Sequence, residues 1–233
     1  MSEGETWSHI PKRLVEVKAR VAAAAERCGR EPGDIRLVLV SKNSPPEAVL
    51  AAYEAGHREF GENRVQEALP KIDTLPADVI WHLIGHLQSN KVNKVLGRFD
   101  LIHSLDSRDL AERLSEKSLA REMVSPVLVE VNCSGDESKH GISTDEARDF
   151  TLKLADLGGI VVDGLMTIGP LRGGGEGARE AFAGLREIYE SLRAEEHPSL
   201  PLRELSMGMT DDFEIAVEEG ASILRVGRAI FAS

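Results

Sequence analysis

The stretch IRLVLVSKNSPPEAVLAAYEAGHREFGEN, residues 35–63, decides the fold. Ile35–Ser41 is a short apolar run rich in β-branched residues, the composition of a buried strand. Pro46–Ala55 follows with a helical pattern. Glu59–Gly61 then reads as a second strand, so short that it carries almost no periodicity of its own. Strand, helix and strand in so little chain predict a βαβ unit with parallel strands. No glycine fingerprint of a dinucleotide fold follows the first strand.

The same rhythm continues to the C-terminus. Further strands are expected at Val79–Gly85, Leu101–Leu105, Pro126–Asn132, Val161–Thr167, Arg203–Met207 and Ser222–Val226. Helical patterns lie between them at Asn63–Ile72, Asn90–Leu96, Arg108–Arg121, Thr144–Leu157, Gly177–Glu195 and Asp211–Glu219. Before the series, Ile10, Leu14, Val17, Val21, Ala25 and Cys28 recur at steps of three and four, the face of a leading helix that Gly29 stops. Eight strand–helix units predict a single (β/α)8 TIM barrel spanning 1–233, with the extra N-terminal helix outside or below it. A doubly wound open sheet shares the alternation and is the competing architecture. Arg172–Gly177 (RGGGEG) reads as a mobile loop, since it lacks the lysine and spacing of a P-loop.

Composition narrows the function classes. The 233 residues are 42% hydrophobic and 29% charged, with a net charge of -11. That acidic balance argues against nucleic acid as a partner. Cys28 and Cys133 match no metal or redox spacing, and no metal site is expected. The polar start MSEGETW is not a signal peptide, and no apolar run reaches the roughly 18 residues that span a bilayer. A cytoplasmic protein without membrane association follows.

In a barrel of this kind the chemistry gathers at the carboxyl ends of the strands. Lys42 directly follows the apolar run Leu37–Val40. A partly desolvated ammonium there would have a lowered pKa and could attack a carbonyl, while the plain alternative is a lysine that snorkels to solvent. Ser206-Met207-Gly208-Met209-Thr210 and Val226-Gly227-Arg228 follow the last two strands, where such barrels often hold a phosphate. The final AIFAS could form one turn whose N–H groups face that anion. The alternative is two tight turns that need glycine. Arg225 stands between Leu224 and Val226, and so short an alternation leaves its direction open. Pointing inward, it would have to meet an anion or a ring nitrogen. Asn63 and His86 are candidates for the face and rim of a ring, and Met166 ends the sixth strand. Asp211 or Thr210 is expected to cap the seventh helix, and Glu218-Glu219 to lie on a solvated face.

The motifs LVLVSK (37–42), FGENRVQE (60–67), WHLIGHLQSNKV (81–92), HSLDS (103–107), VNCSGDESKHG (131–141), GLMTIGP (164–170), LSMGMTDDFEIAVEEGA (205–221) and LRVGRAIF (224–231) stand in order along nearly the whole chain. In these motifs the chain resembles the pyridoxal phosphate homeostasis proteins, which are similar to the barrel domain of alanine racemase. The resemblance implies fold type III without the second β domain. It implies pyridoxal 5′-phosphate (PLP) held as a Schiff base on Lys42, with Ser206, Gly208, Met209 and Gly227 around the phosphate and Arg225 facing the pyridine nitrogen. It also implies a non-catalytic role: binding, buffering and delivering PLP, with apo PLP-dependent enzymes as possible recipients and an effect on amino-acid and keto-acid balance. Thr210 stands where serine is commoner, Ala232-Ser233 where glycine often follows the phenylalanine, and His86 where some members have proline.

Two other functions are weighed. An amino-acid racemase needs a proton donor and acceptor on opposite faces of the substrate carbon. Related racemases bring the opposing tyrosine from a partner subunit near a second domain, whereas this chain ends seven residues after Val226 and its tyrosines, Tyr53 and Tyr189, fall within helices. A Schiff-base aldolase for a phosphorylated sugar lacks an evident acid or base beside Lys42. A monomeric PLP-binding protein is the expectation.

Overall fold

The computed structural model describes residues 7–136, 140–170 and 173–232. Part of VNCSGDESKHG (residues 137–139) and the start of the RGGGEG stretch (residue 172) therefore lie outside the described residues.

Among the described residues, eight parallel strands close into a barrel: β1 (Arg36–Val40), β2 (Glu59–Glu62), β3 (Ile80–Leu83), β4 (Leu101–Leu105), β5 (Ser125–Asn132), β7 (Ile160–Met166), β8 (Glu204–Ser206) and β9 (Ile223–Val226). Each pairs with the next, β4 pairs with β5, and β9 pairs back onto β1 with Leu37 opposite Leu224 and Val38 opposite Arg225. Closure onto β1 rules out the open sheet. The short β2, weakest in the sequence, is fixed by its neighbours, with Phe60 opposite Leu39 and Trp81. A two-residue strand, β6 (Ile142–Ser143), adds to β5 outside the barrel and has no counterpart in the expected set.

The helices α2 (Pro46–Glu54), α3 (Val65–Thr74), α4 (Val92–Val95), α5 (Arg108–Leu119), α6 (Thr144–Leu154), α7 (Gly174–Arg193) and α8 (Phe213–Glu218) connect the strands. They pack on the outward face, where Leu39, Phe60, Val129 and Leu165 join one large apolar cluster with Phe182 and Phe213. The leading helix α1 (His9–Arg27) buries Ile10, Leu14, Val17, Val21, Ala24 and Ala25 against α2, α8 and the final turn α9 (Arg228–Phe231). It thus covers the seam where the barrel closes, from outside. The RGGGEG stretch is not all loop, because α7 begins at Gly174 with Gly173 as its left-handed N-cap.

Inside the barrel the layer is smaller and mixed. Val38, Leu101, Leu128, Met166 and Ile223 form the apolar interior cluster, and His82, His103, Ser206 and Arg225 are buried with them. Successive strand residues face opposite sides. On β1 that alternation sets Arg36, Val38 and Val40 inward and brings Lys42 to the mouth above them.

Candidate active site at the barrel mouth

Lys42 sits in the turn after β1, followed by Asn43 at φ 61. Its side chain is exposed, so the desolvation expected of an ammonium behind an apolar strand is not present. The residue before it is anchored instead. Lys71 of α3 donates from Nζ to the Ser41 carbonyl at 2.8 Å and to Glu62 Oε1 at 2.5 Å, and the Ser41 hydroxyl donates to the same Glu62 oxygen at 2.7 Å. Glu62 is fully buried and Lys71 nearly so, while Glu62 Oε2 has no hydrogen-bond partner. Breaking such a buried pair leaves an uncompensated charge, so this knot ties the base of the Lys42 turn rigidly to β2 and α3. Sequence reading missed Lys71, although a signal was there: it continues the Val65, Ala68 face of α3 at a spacing of three.

The register of β1 on β9 brings the last loops to the same rim. Arg225 points inward and is 4% exposed, which settles the direction that sequence left open. It donates to Ser206 Oγ at 2.5 Å and to the Thr167 carbonyl at 2.8 Å. Burial lowers its pKa to about 10, against the favourable charges of Glu130 and Asp212. Among the described residues no carboxylate lies within ion-pair distance of it. Met166 is fully buried beside Ser206 in the β7–β8 register.

Ser206 is committed to the interior. Its hydroxyl meets both Arg225 and, at 2.9 Å, His103 Nδ1, leaving only its neighbours' backbone to face an anion. Gly208 has φ 90, and a Cβ there would lie 2.4 Å from the Ala216 Cβ, so the glycine serves a turn pressed on α8. A Cβ on Gly227 would lie 3.0 Å from the Val40 carbonyl, which lets the start of α9 approach β1. At the start of α9 the Ile230 and Phe231 amides donate to the Gly227 carbonyl, and the two amides before them precede the first intrahelical bond. The residue at the cap of α8 is Asp212, not Asp211 or Thr210; its Oδ1 accepts from the Met209 amide at 2.5 Å. Burial raises the Asp212 pKa against that amide bond.

The other half of the rim carries Asn63, half-buried after β2, and the exposed His86 after β3. His86 Nδ1 lies 2.9 Å from Asp106 Oδ2, and its ring stacks on His140 at 4.2 Å between centroids and 11° between planes. Ligand atoms of His86, Asp106 and His140 all fall within 4.8 Å of one another. Nearly parallel rings hold their in-plane lone pairs in separate planes, so as arranged the two imidazoles do not converge on one ion. Glu130, unremarked in the sequence, is 6% exposed at the end of β5. Burial, helped by the charge of Asp106 and opposed by Arg225, raises its pKa to about 7.

One sequence expectation at the periphery changes, and the helical placement of Tyr53 and Tyr189 holds. Glu218 and Glu219 are not simply solvated: Arg179 bridges both at 2.6 Å, and Arg27 and Arg186 join them. The two tyrosine hydroxyls lie at the opposite end of the barrel. Tyr53 donates to Asp78 just before β3, and Tyr189 to the Leu202 carbonyl just before β8.

Lys42 after β1, the inward Arg225 and the glycine loops after the last two strands thus share one rim of a closed (β/α)8 barrel. A family model described as alanine racemase, N-terminal domain, matches residues 13–233. A protein of Aquifex aeolicus named pyridoxal phosphate homeostasis protein is 41% identical over 221 residues, covering 94% of this chain and 96% of that one. The chain therefore belongs to the pyridoxal phosphate homeostasis protein family. Among solved structures, an unknown protein from Bifidobacterium adolescentis superposes with a TM-score of 0.92 at 41% identity, covering 96% of this chain and 94% of that one. PipY of Synechococcus elongatus, solved with PLP bound, has a TM-score of 0.82 at 37% identity, covering 96% of this chain and all (100%) of that one.

Proposed function

We propose that this chain binds PLP at the barrel mouth through Lys42 and serves to hold, buffer and deliver it. The observation that carries the reading is Arg225: a buried cation with no carboxylate at ion-pair distance among the described residues, facing the rim on which Lys42 stands. A guanidinium so placed favours an electron-rich group, as the pyridine nitrogen of PLP would be. The donor set fits the rest of the cofactor. The exposed Lys42 amine is open to an aldehyde, and the amides at the start of α9 suit a phosphate. When bound, PLP would supply an aldehyde, and the exposed Lys42 would hold it through Nζ. Asn63, His86, Met166, Ser206, Gly208, Met209 and Gly227 complete the proposed pocket, with Ser206 acting on Arg225 rather than on the phosphate.

The protein's own residues favour holding over turnover. Both tyrosines hydrogen-bond at the far end of the barrel, so neither can serve as the opposing base of a racemase. Glu130 is the one observation in favour of racemisation, since a buried carboxyl near neutrality can act as a base. The whole chain, 1–233, is proposed to act as one PLP-binding domain and as a monomer in the cytoplasm. Apo PLP-dependent enzymes would be the recipients. No helix among the described residues is long and apolar enough to cross a membrane.

The test is transfer and turnover with purified protein. The expected outcome is slow activation of an apo PLP enzyme and negligible racemisation of alanine or serine. Racemisation at enzyme-like rates that is lost in Glu130→Gln would replace this reading with the second one.

A further inference from the structure

The barrel interior contains a line of polar side chains that the cofactor reading does not use. His103 Nδ1 lies 2.9 Å from Ser206 Oγ, a contact that crosses the lumen from β4 to β8. His103 Nε2 lies 3.0 Å from His82 Nδ1 on β3. His82 Nε2 lies 3.3 Å from Glu59 Oε2 on β2, at an angle outside hydrogen-bond range. Arg36 holds Glu59 at 2.9 Å and Glu204 at 3.0 Å. At the other end Arg225 donates to Ser206 Oγ. His82, His103 and Ser206 are all fully buried.

The two ends of this line have fixed polarity. Arginine can only donate. Burial alone would raise the Glu59 carboxyl, but His82 and Arg36 outweigh it and hold it down at about 2, so Glu59 is an anion. A ring nitrogen facing an anion must carry its hydrogen, even where the angle is poor, because a lone pair there would be repelled. His82 therefore presents Nε2–H to Glu59 and, in its neutral form, a bare Nδ1 to His103. His103, kept uncharged chiefly by burial, donates from Nε2 to that bare nitrogen and keeps Nδ1 bare. The Ser206 hydrogen must point at that Nδ1, which turns the serine lone pairs to Arg225. With His82 neutral, each group has one orientation consistent with both ends.

We propose that His103 and His82 are positioning residues for Arg225. A one-way chain of donors, Arg225 to Ser206 to His103 to His82, with the second His82 nitrogen turned to the Glu59 anion, fixes the hydroxyl that receives the guanidinium. The barrel's far end thereby sets the direction in which Arg225 faces the mouth. Removing His103 would free the Ser206 hydrogen to turn toward Arg225, where it opposes the guanidinium. The consequence for PLP rests on the proposed function; the proton positions do not.

Two measurements keep those apart. In 15N-labelled protein without PLP at pH 8, above the ordinary imidazole range near 6.5, long-range nitrogen–proton spectra should show Nε2–H on both rings. An Nδ1–H on His103 overturns the proposal whether or not PLP binds. In the second, PLP affinity and the absorption maximum of the loaded protein are compared for wild type, His103→Leu and His103→Gln, with thermal unfolding as the folding control. His103→Leu should lose about tenfold in affinity, roughly one 1.4 kcal/mol step, with a shifted band. His103→Gln, whose amide can accept from Ser206 and donate to His82, should recover most of both. A folded His103→Leu that binds PLP with wild-type affinity and spectrum overturns the proposal. Should His103→Leu not fold, Ser206→Ala breaks the same link from the other side, and unchanged affinity and spectrum there overturn the proposal equally. Wild-type protein that takes up no PLP would refute the proposed function and leave the tautomer test to decide the relay.

Discussion

The barrel has an inward arginine at each end, and the two live in opposite surroundings. At the foot, Arg36 is gripped by Glu59 and Glu204, and although burial works against it, those partners raise its pKa. Near the mouth, Arg225 is more deeply buried, has only a hydroxyl and a carbonyl as direct acceptors, and its pKa is pushed down to about 10. A cation that its own chain neutralises is structural. One that its chain buries with no carboxylate at ion-pair distance among the described residues, Glu130 and Asp212 acting only from further off, is prepared for a ligand. The cavity of about 470 Å³ at the foot, lined by Lys18, Arg36, His57, Arg58 and Glu59 among others, fits this contrast in that Arg36 and Glu59 pair with each other there.

The largest expected effect is at the foot. Arg36→Met strands two carboxylates, one also facing His82, and should cost about 2 kcal/mol, reduced from the usual figure for buried pairs because Arg36 is partly exposed. That corresponds to roughly 4–8 °C in the thermal midpoint for a domain of this size. An unchanged midpoint would remove the distinction between the two ends.

Glu130→Gln comes next and depends on pH. A buried acid with its folded pKa raised from 4.5 to about 7 is protonated in the fold where the unfolded chain has already ionised. Stability is therefore lost as pH rises from about 4.5 to 7 and stays lost above. The variant should gain about 1–3 kcal/mol at pH 8 and almost nothing at pH 4. Denaturant titrations at the two pH values decide, and equal changes at both would show that the carboxyl is not held neutral. His57 sets the opposite trend near the foot: burial lowers its pKa to about 4, so stability is lost as pH falls from 6.5 toward 4.

Arg225→Met sharpens the comparison directly. Relief of a buried charge offsets the two lost hydrogen bonds, so stability should move by less than about 1 kcal/mol. PLP affinity should fall at least about tenfold, one step of 1.4 kcal/mol or more. A large stability loss with unchanged affinity would make Arg225 a structural residue like Arg36. Lys42→Ala has the smallest effect on the fold, within about 0.5 kcal/mol, as for an exposed side chain.

The barrel was readable because its strands are apolar runs and its helices are amphipathic, and both signals are local. Among the described strands β6 alone escaped, since two residues carry no period, and the short 3-10 turns Pro32–Asp34 and Ser89–Lys91 escaped for the same reason. Lys42 and the last glycine loops were also legible, because strand ends are marked by the change from apolar to polar residues. The direction of Arg225 was not, because Ile223–Val226 is too short to show which side faces inward. The relay was hidden for another reason. His82 and His103 are single polar residues in apolar runs, but the partner that explains them, Ser206, lies 103 residues beyond His103 and across the lumen. Lys71 and Glu62 likewise meet only once α3 is laid against β2.

The most direct test is borohydride treatment of the PLP-loaded protein, followed by peptide mass mapping. A pyridoxyl group fixed on Lys42, with the yellow colour and the label both absent from a folded Lys42→Ala variant, is the expected result. A label on another lysine, or a wild-type protein that stays colourless and unlabelled after incubation with PLP, would contradict it.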